Sequence, residues 1–83
     1  MNYFVYMIIS KINSKTISYV GYTKDLTNRI KLHNSSKGAK FTRGRKWKLI
    51  YFKKFKSKNS AMKYEYLLKK NNKLRKTIKS NNL

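Results

Sequence analysis

The sequence predicts an α+β domain: a small three-stranded antiparallel or mixed β-sheet with flanking helices, in the order β-β-α-β-α-α. Three observations predict it. Residues 3–9, 17–22 and 47–55 are dense in β-branched and aromatic side chains and are separated by polar or glycine-containing stretches, which is strand composition. Two other stretches repeat apolar residues at helical spacing. The chain of 83 residues has no internal repeat and no linker long enough to split it, so residues 1–83 read as a single domain that buries only about 60–65% of its unfolded surface.

Residues 3–9 are apolar on both faces, so they form a central strand. The polar stretch 11–16, with Asn13-Ser14, turns the chain back into strand 17–22 as an antiparallel hairpin. Gly21 lets the backbone bend or approach a ligand closely, and Thr23 is placed to cap a helix starting at Lys24 and Asp25. In that helix Leu26 and Ile30 mark the buried stripe, while Arg29 and His33 form an i,i+4 pair at its edge. Residues 34–46 make a basic loop, irregular at Ser35, Ser36, Gly38 and Gly44. Strand 47–55 puts Leu49, Tyr51 and Phe55 on one side and Ile50 and Phe52 on the other. Ser57 or Asn59 caps a second helix with Ala61, Tyr64 and Leu68 inward, Asn71-Asn72 interrupts it, and Leu74 and Ile78 support a short third helix.

Twenty-two basic residues face two acidic ones, a formal net charge of +20, and the natural counterweight is a polyanion. Neutralising even about six phosphates makes binding steeply salt-dependent. The absence of cysteine excludes a disulfide framework and Cys-based zinc, and the single histidine excludes His-rich metal sites. With two carboxylates, Asp25 and Glu65, a two-metal site built on several aspartates is unavailable. Asp25 and His33 lie roughly 12 Å apart along one continuous helix, which excludes a bonded Asp-His pair. The longest apolar run is far short of the roughly 18 residues of a spanning helix, so the expectation is a soluble, cytoplasmic protein with no membrane association.

Phe4-Val5-Tyr6, then Tyr19-Val20-Gly21, then Arg29, His33 and Glu65, in this order and on these elements, resemble the GIY-YIG nucleases, in particular their small stand-alone prokaryotic members. The likeness covers nearly the whole chain, including Lys37-Gly38-Ala39-Lys40-Phe41-Thr42-Arg43. Phe4 stands where the first motif has glycine, and the asparagine that many members carry late in the domain has no assigned counterpart, Asn71 and Asn72 being nearest.

The resemblance implies a metal-dependent DNA endonuclease that hydrolyses phosphodiesters with little sequence specificity, in repair or processing of single-stranded or branched DNA. It implies that Glu65 holds one Mg²⁺ or Mn²⁺ through a single carboxylate, that Arg29 steadies charge on the phosphate, and that Tyr6 or Tyr19 acts as base or water-positioner. A phenol with ordinary pKa near 10 needs neighbouring cations to lower it for that task. His33 shares proton transfer or binds phosphate. The residues themselves leave plainer readings open: a surface Glu65-Lys69 pair of about 0.3–0.5 kcal/mol, an Asp25-Arg29 salt bridge, half-buried core tyrosines and a structural histidine. Lys37, Lys40, Arg43, Arg45 and Lys69 are the candidate nucleic-acid contacts, with Phe41 and Trp47 to stack on unpaired bases. No reading head such as a helix-turn-helix is present. A non-catalytic nucleic-acid-binding module on the same fold, or an RNA-coating structural protein, explains the charge without the chemistry.

Overall fold

In a computed structural model, which describes residues 1–82, Asn13-Ser14 is a two-residue turn with Asn13 at φ 59°. It joins β1 (Tyr3–Ile12) to β2 (Lys15–Thr23), and β3 (Lys48–Phe55) pairs with the other edge of β1, giving the antiparallel order β2-β1-β3. β1 is central because alternating residues are buried on both faces: Val5, Met7 and Ile9 on one, Tyr6 and Ile8 on the other. The helices are α1 (Leu26–Asn34), α2 (Lys58–Lys70) and α3 (Asn72–Asn82), so the α+β fold and its element order are those the sequence predicts. No helix among the described residues is long and apolar enough to cross a membrane.

Each face of the sheet has its own core. Val5, Met7, Ile9, Val20 and Ile50 pack against Ala61 and Leu68 of α2 and Ile78 of α3. Full burial of one such aliphatic side chain contributes about 1.5–3 kcal/mol. On the opposite face Tyr6, Ile8 and Trp47 meet Leu26 and Ile30 of α1 together with Ile17, Tyr19 and Leu49. Ser57 caps α2, accepting from the Ser60 N–H at 3.1 Å, and Asn71 closes α2 while its Oδ1 accepts from the Leu74 N–H at 2.9 Å to start α3.

Two local expectations change. The N-cap of α1 is Asp25 rather than Thr23: its Oδ1 accepts from the Asn28 N–H at 3.1 Å, while Thr23 Oγ1 accepts from the Asp25 N–H at 3.2 Å one step outside. Alternation in β3 also fails at a bulge, because Met7 opposes Tyr51 and Ile8 opposes Leu49, leaving Ile50 as the extra residue. Ile50 and Tyr51 therefore both pack on the α2–α3 side, and Leu49 joins the α1 side instead of sharing a face with Tyr51 and Phe55.

Candidate active site

Tyr6 and Tyr19 come from neighbouring strands and point to the same face of the sheet, their ring centroids 6.5 Å apart. Directly across from Tyr6 in the register stands Gly21, where a Cβ would lie 2.5 Å from the Tyr6 hydroxyl, so the glycine is what lets the phenol end reach the surface of the sheet. This corner opens into a cleft of about 590 Å³ lined by Tyr6, Tyr19, Gly21, Arg29, Lys58 and Glu65, among others. Arg29 reaches it from the first turns of α1, Lys58 and Glu65 from two turns of α2 on one helix face. Four of the five residues expected in the site thus share one cleft, and Lys58 joins them unanticipated.

The fifth, His33, lies behind that wall. It was expected at the edge of α1 but is wholly buried, because the loop folds over it. Its Nε2 lies 2.7 Å from the Tyr6 hydroxyl and its Nδ1 lies 2.9 Å from Thr42 Oγ1. Gly38 presses against the imidazole so closely that any Cβ there would collide with the ring. Thr42, also fully buried, is held by Ala39 on one side and on the other through its own carbonyl, which accepts from Trp47 Nε1 at 2.9 Å. Sequence reading passed over Gly38 and Thr42 as chemistry, although both belong to the 37–43 stretch that carried the resemblance.

Burial pushes the Tyr6 phenol well above its ordinary pKa of 10; Tyr19 and Glu65 push the same way, and Arg29 pulls down without offsetting them. This corrects the expectation that cations around a site tyrosine lower its pKa, since depth outweighs the nearby charge. His33 is shifted below its ordinary 6.5, first by burial and then by the Arg29 charge, so it is held neutral.

Asp25 is engaged with the Asn28 N–H, and the Asp25-Arg29 salt bridge is not formed, which leaves the guanidinium without a carboxylate partner among the described residues. Glu65 does pair with Lys69, Nζ to Oε2 at 3.7 Å, on a side chain 20% exposed. Lys69 borders a shallow neighbouring groove with Tyr19, Phe41 and Arg75. Phe41 is 57% exposed and stacks on Tyr19 at 6.1 Å and 23°. Trp47, by contrast, is buried and donates to Thr42, so it cannot stack on a base. Lys37, Lys40 and Arg43 project from the loop, whereas Arg45 lies beside the β1–β2 turn, next to Ile12 and Lys15, away from the cleft. Asn71 and Asn72 are both taken up at the α2–α3 joint, Asn72 accepting from Arg75 at 3.3 Å, and neither lines the cleft.

The donor set bears on which metal the cleft suits. Both His33 nitrogens are occupied and buried, and no group of three His, Cys, Asp or Glu side chains occurs among the described residues. The cleft offers the Glu65 carboxylate and neutral oxygens, with Asp25 also in its lining but engaged as the α1 N-cap, which fits one hard divalent ion keeping most of its waters and not a soft centre or one built on three or more such side chains.

Residues 2–79 match the family of the GIY-YIG catalytic domain. The chain is 46% identical over 70 residues to the UPF0213 protein YazA of Bacillus subtilis, covering 83% of this chain and 68% of that protein. It is 47% identical over 70 residues to the UPF0213 protein BH0048 of Halalkalibacterium halodurans, covering 83% and 71%. The solution NMR structure of BH0048 superimposes with a TM-score of 0.53 at 40% identity, over 96% of this chain and 84% of that one.

Proposed function

This chain belongs to the GIY-YIG catalytic-domain family, a nuclease family whose members generally use divalent metal ions, and from that premise we propose that it is a DNA endonuclease dependent on one Mg²⁺ or Mn²⁺. The observation that carries the reading is the convergence of Tyr6, Arg29 and Glu65 from three separate elements on one cleft, with His33 bonded behind Tyr6. Its substrate is DNA with unpaired nucleotides near the cut, engaged through phosphates by Lys37, Lys40, Arg43 and Lys69 and through a base by Phe41, with little dependence on sequence.

Hydrolysis proceeds by attack of water on the phosphorus. Tyr6, a neutral phenol at physiological pH, takes a proton from that water while passing its own to His33 Nε2, and the water oxygen keeps the electron pair that forms the new P–O bond. The sugar oxygen leaves with the electrons of the broken P–O bond and is protonated by solvent. His33 then returns its proton to Tyr6, which releases one to bulk water. Arg29 donates to a non-bridging oxygen as charge grows there. Glu65 would hold the ion, which when bound would supply positive charge to stabilise the phosphate.

The test is cleavage of labelled single-stranded, branched and fully paired DNA in Mg²⁺, Mn²⁺ or chelator. Glu65→Gln is expected to lower metal-dependent cleavage by roughly 10³-fold or more while binding stays equal or tightens, since an anion leaves a phosphate site. A folded Glu65→Gln variant that cuts at the normal rate overturns the assignment. Tight binding with no cleavage by the unaltered protein identifies a non-catalytic binding module instead.

A further inference from the structure

We propose that Thr42 is a positioning residue that fixes the tautomer of His33, holding the proton on Nδ1 so that Nε2 faces Tyr6 as a bare acceptor. The inference rests on Tyr6 and His33 acting together as proposed above, and it concerns a side chain that does not reach the cleft.

The argument is a census of hydrogens. Thr42 Oγ1 lies 2.9 Å from His33 Nδ1, 3.2 Å from the Ala39 N–H and 3.0 Å from the Ala39 carbonyl oxygen. The Ala39 N–H can only donate and the carbonyl can only accept. If the single hydroxyl hydrogen of Thr42 goes to the carbonyl, both Thr42 lone pairs receive donors, one from Ala39 and one from His33 Nδ1–H. Nε2 then carries no hydrogen, and the Tyr6 hydroxyl donates to it across 2.7 Å. Every group in the chain Tyr6, His33, Thr42, Ala39 is satisfied in one direction, from the cleft inward.

The opposite arrangement does not serve the relay. If Thr42 donates to Nδ1, Nε2 holds the proton and donates to the Tyr6 oxygen, and the Tyr6 hydrogen, with no protein acceptor among the described residues, turns to the cleft and its water. The first arrangement pairs every one of these groups within the protein and leaves a Tyr6 lone pair facing the cleft, which is the state the proposed proton transfer needs. The loop is built to keep it: Gly38 presses on the imidazole, the Thr42 N–H donates to the Ala39 carbonyl at 3.2 Å, and Trp47 Nε1 holds the Thr42 carbonyl. In this tautomer His33 can receive the proton of Tyr6 without first surrendering one. In the other, Nε2 is already occupied and the relay is blocked.

His33 is the single histidine of the chain, so long-range proton–nitrogen NMR spectra contain one imidazole and report its tautomer directly. Measured at mildly alkaline pH, the unaltered protein is expected to carry its proton on Nδ1. Thr42→Ser, which keeps the hydroxyl, is expected to preserve both tautomer and cleavage rate. Thr42→Val, which keeps the shape and loses the acceptor, is expected to shift the proton to Nε2 and to lower kcat about 10²-fold at unchanged KM for DNA. A bare Nδ1 in the unaltered protein overturns the proposal outright, and so does a Thr42→Val variant that keeps the tautomer or the rate. Should Thr42→Val not fold, the spectra of the unaltered protein and of Thr42→Ser decide alone. The two readings fail separately: if the unaltered protein cuts no DNA the nuclease reading falls, while the spectrum still decides what Thr42 does, and Glu65→Gln is expected to abolish cleavage with the imidazole spectrum unmoved.

Discussion

The two faces of the central sheet are held by different physics. On the side of α2 and α3, Val5, Met7, Ile9, Val20, Ala61, Leu68 and Ile78 form an apolar core whose cohesion is area and packing, which have no direction. On the side of α1, Tyr6, His33 and Thr42 sit among Ile8 and Trp47, and no buried side-chain nitrogen or oxygen among the described residues lacks a partner. A face of the first kind accepts a change of shape at the cost of stability. A face of the second kind loses one specific bond at a time, and with it a specific proton or charge. The division lets a chain of 83 residues keep an apolar scaffold and a directional polar site on opposite faces of one sheet.

Substitutions on either side sharpen the contrast. The largest effect is expected from Tyr6→Phe: cleavage slows by roughly 10² to 10⁴-fold if the phenol is the base, and stability falls by about 1–3 kcal/mol because Nε2 of His33 loses its partner. Single-turnover kinetics beside denaturant unfolding measure both, and an unchanged rate shows that the polar side is merely structural. On the apolar side, Leu68→Ala is expected to cost about 2–5 kcal/mol of stability while leaving the cleft's chemistry in the folded fraction intact. A large drop in per-molecule rate at permissive temperature would break the separation of the two faces.

A smaller effect is a pH dependence. The folded pKa of His33 lies below its unfolded 6.5, so between the two values the unfolded chain binds more protons than the folded one. Stability from this group is fully present above 6.5 and is lost as pH falls through the window below it. With two carboxylates in the chain, little else titrates nearby, and His33→Gln is expected to flatten the slope in urea midpoints measured across that window. The smallest effect lies on the surface: Lys37→Gln or Lys40→Gln is expected to reduce the slope of log K against log salt by about 0.7 on single-stranded DNA, with no change in folding, as a binding titration at several salt concentrations reads directly.

Much of this was legible before any coordinates. The hairpin, the central strand and the inward stripe Ala61, Tyr64, Leu68 announce themselves because periodicity records which face is buried. The bulge at Ile50 does not, since it is a backbone event that leaves composition untouched. Tyr6, Tyr19, Arg29 and Glu65 were picked out by the resemblance to the nuclease motifs and meet in one cleft. His33 was misjudged as an edge residue because its burial comes from Gly38 and Thr42 folding over it, a contact made by an irregular loop. Depth was likewise invisible in the case of Tyr6, where counting cations suggested a lowered phenol pKa and burial raises it. Trp47 and Arg45 were grouped with the loop's exposed cations and rings, and tertiary position alone separates them.

Asn34 at the end of α1 reaches across to the first residue before β3, accepting from the Trp47 N–H at 2.6 Å and donating to the Trp47 carbonyl at 3.2 Å, as a neighbouring strand would. The basic loop between them is thereby tied at both ends, and its interior is tied again where the Gly44 N–H donates to Ser36 Oγ at 2.9 Å. Phe41, Lys37, Lys40 and Arg43 therefore ride on a rim that hydrogen bonds within the fold already tie in place, which the proposed DNA contact would use. Binding then has only side-chain rotamers to immobilise, at about 0.5–1.5 kcal/mol each, and no segment to fold. Calorimetry of DNA binding should accordingly show a small negative heat-capacity change, without the large one that accompanies coupled folding.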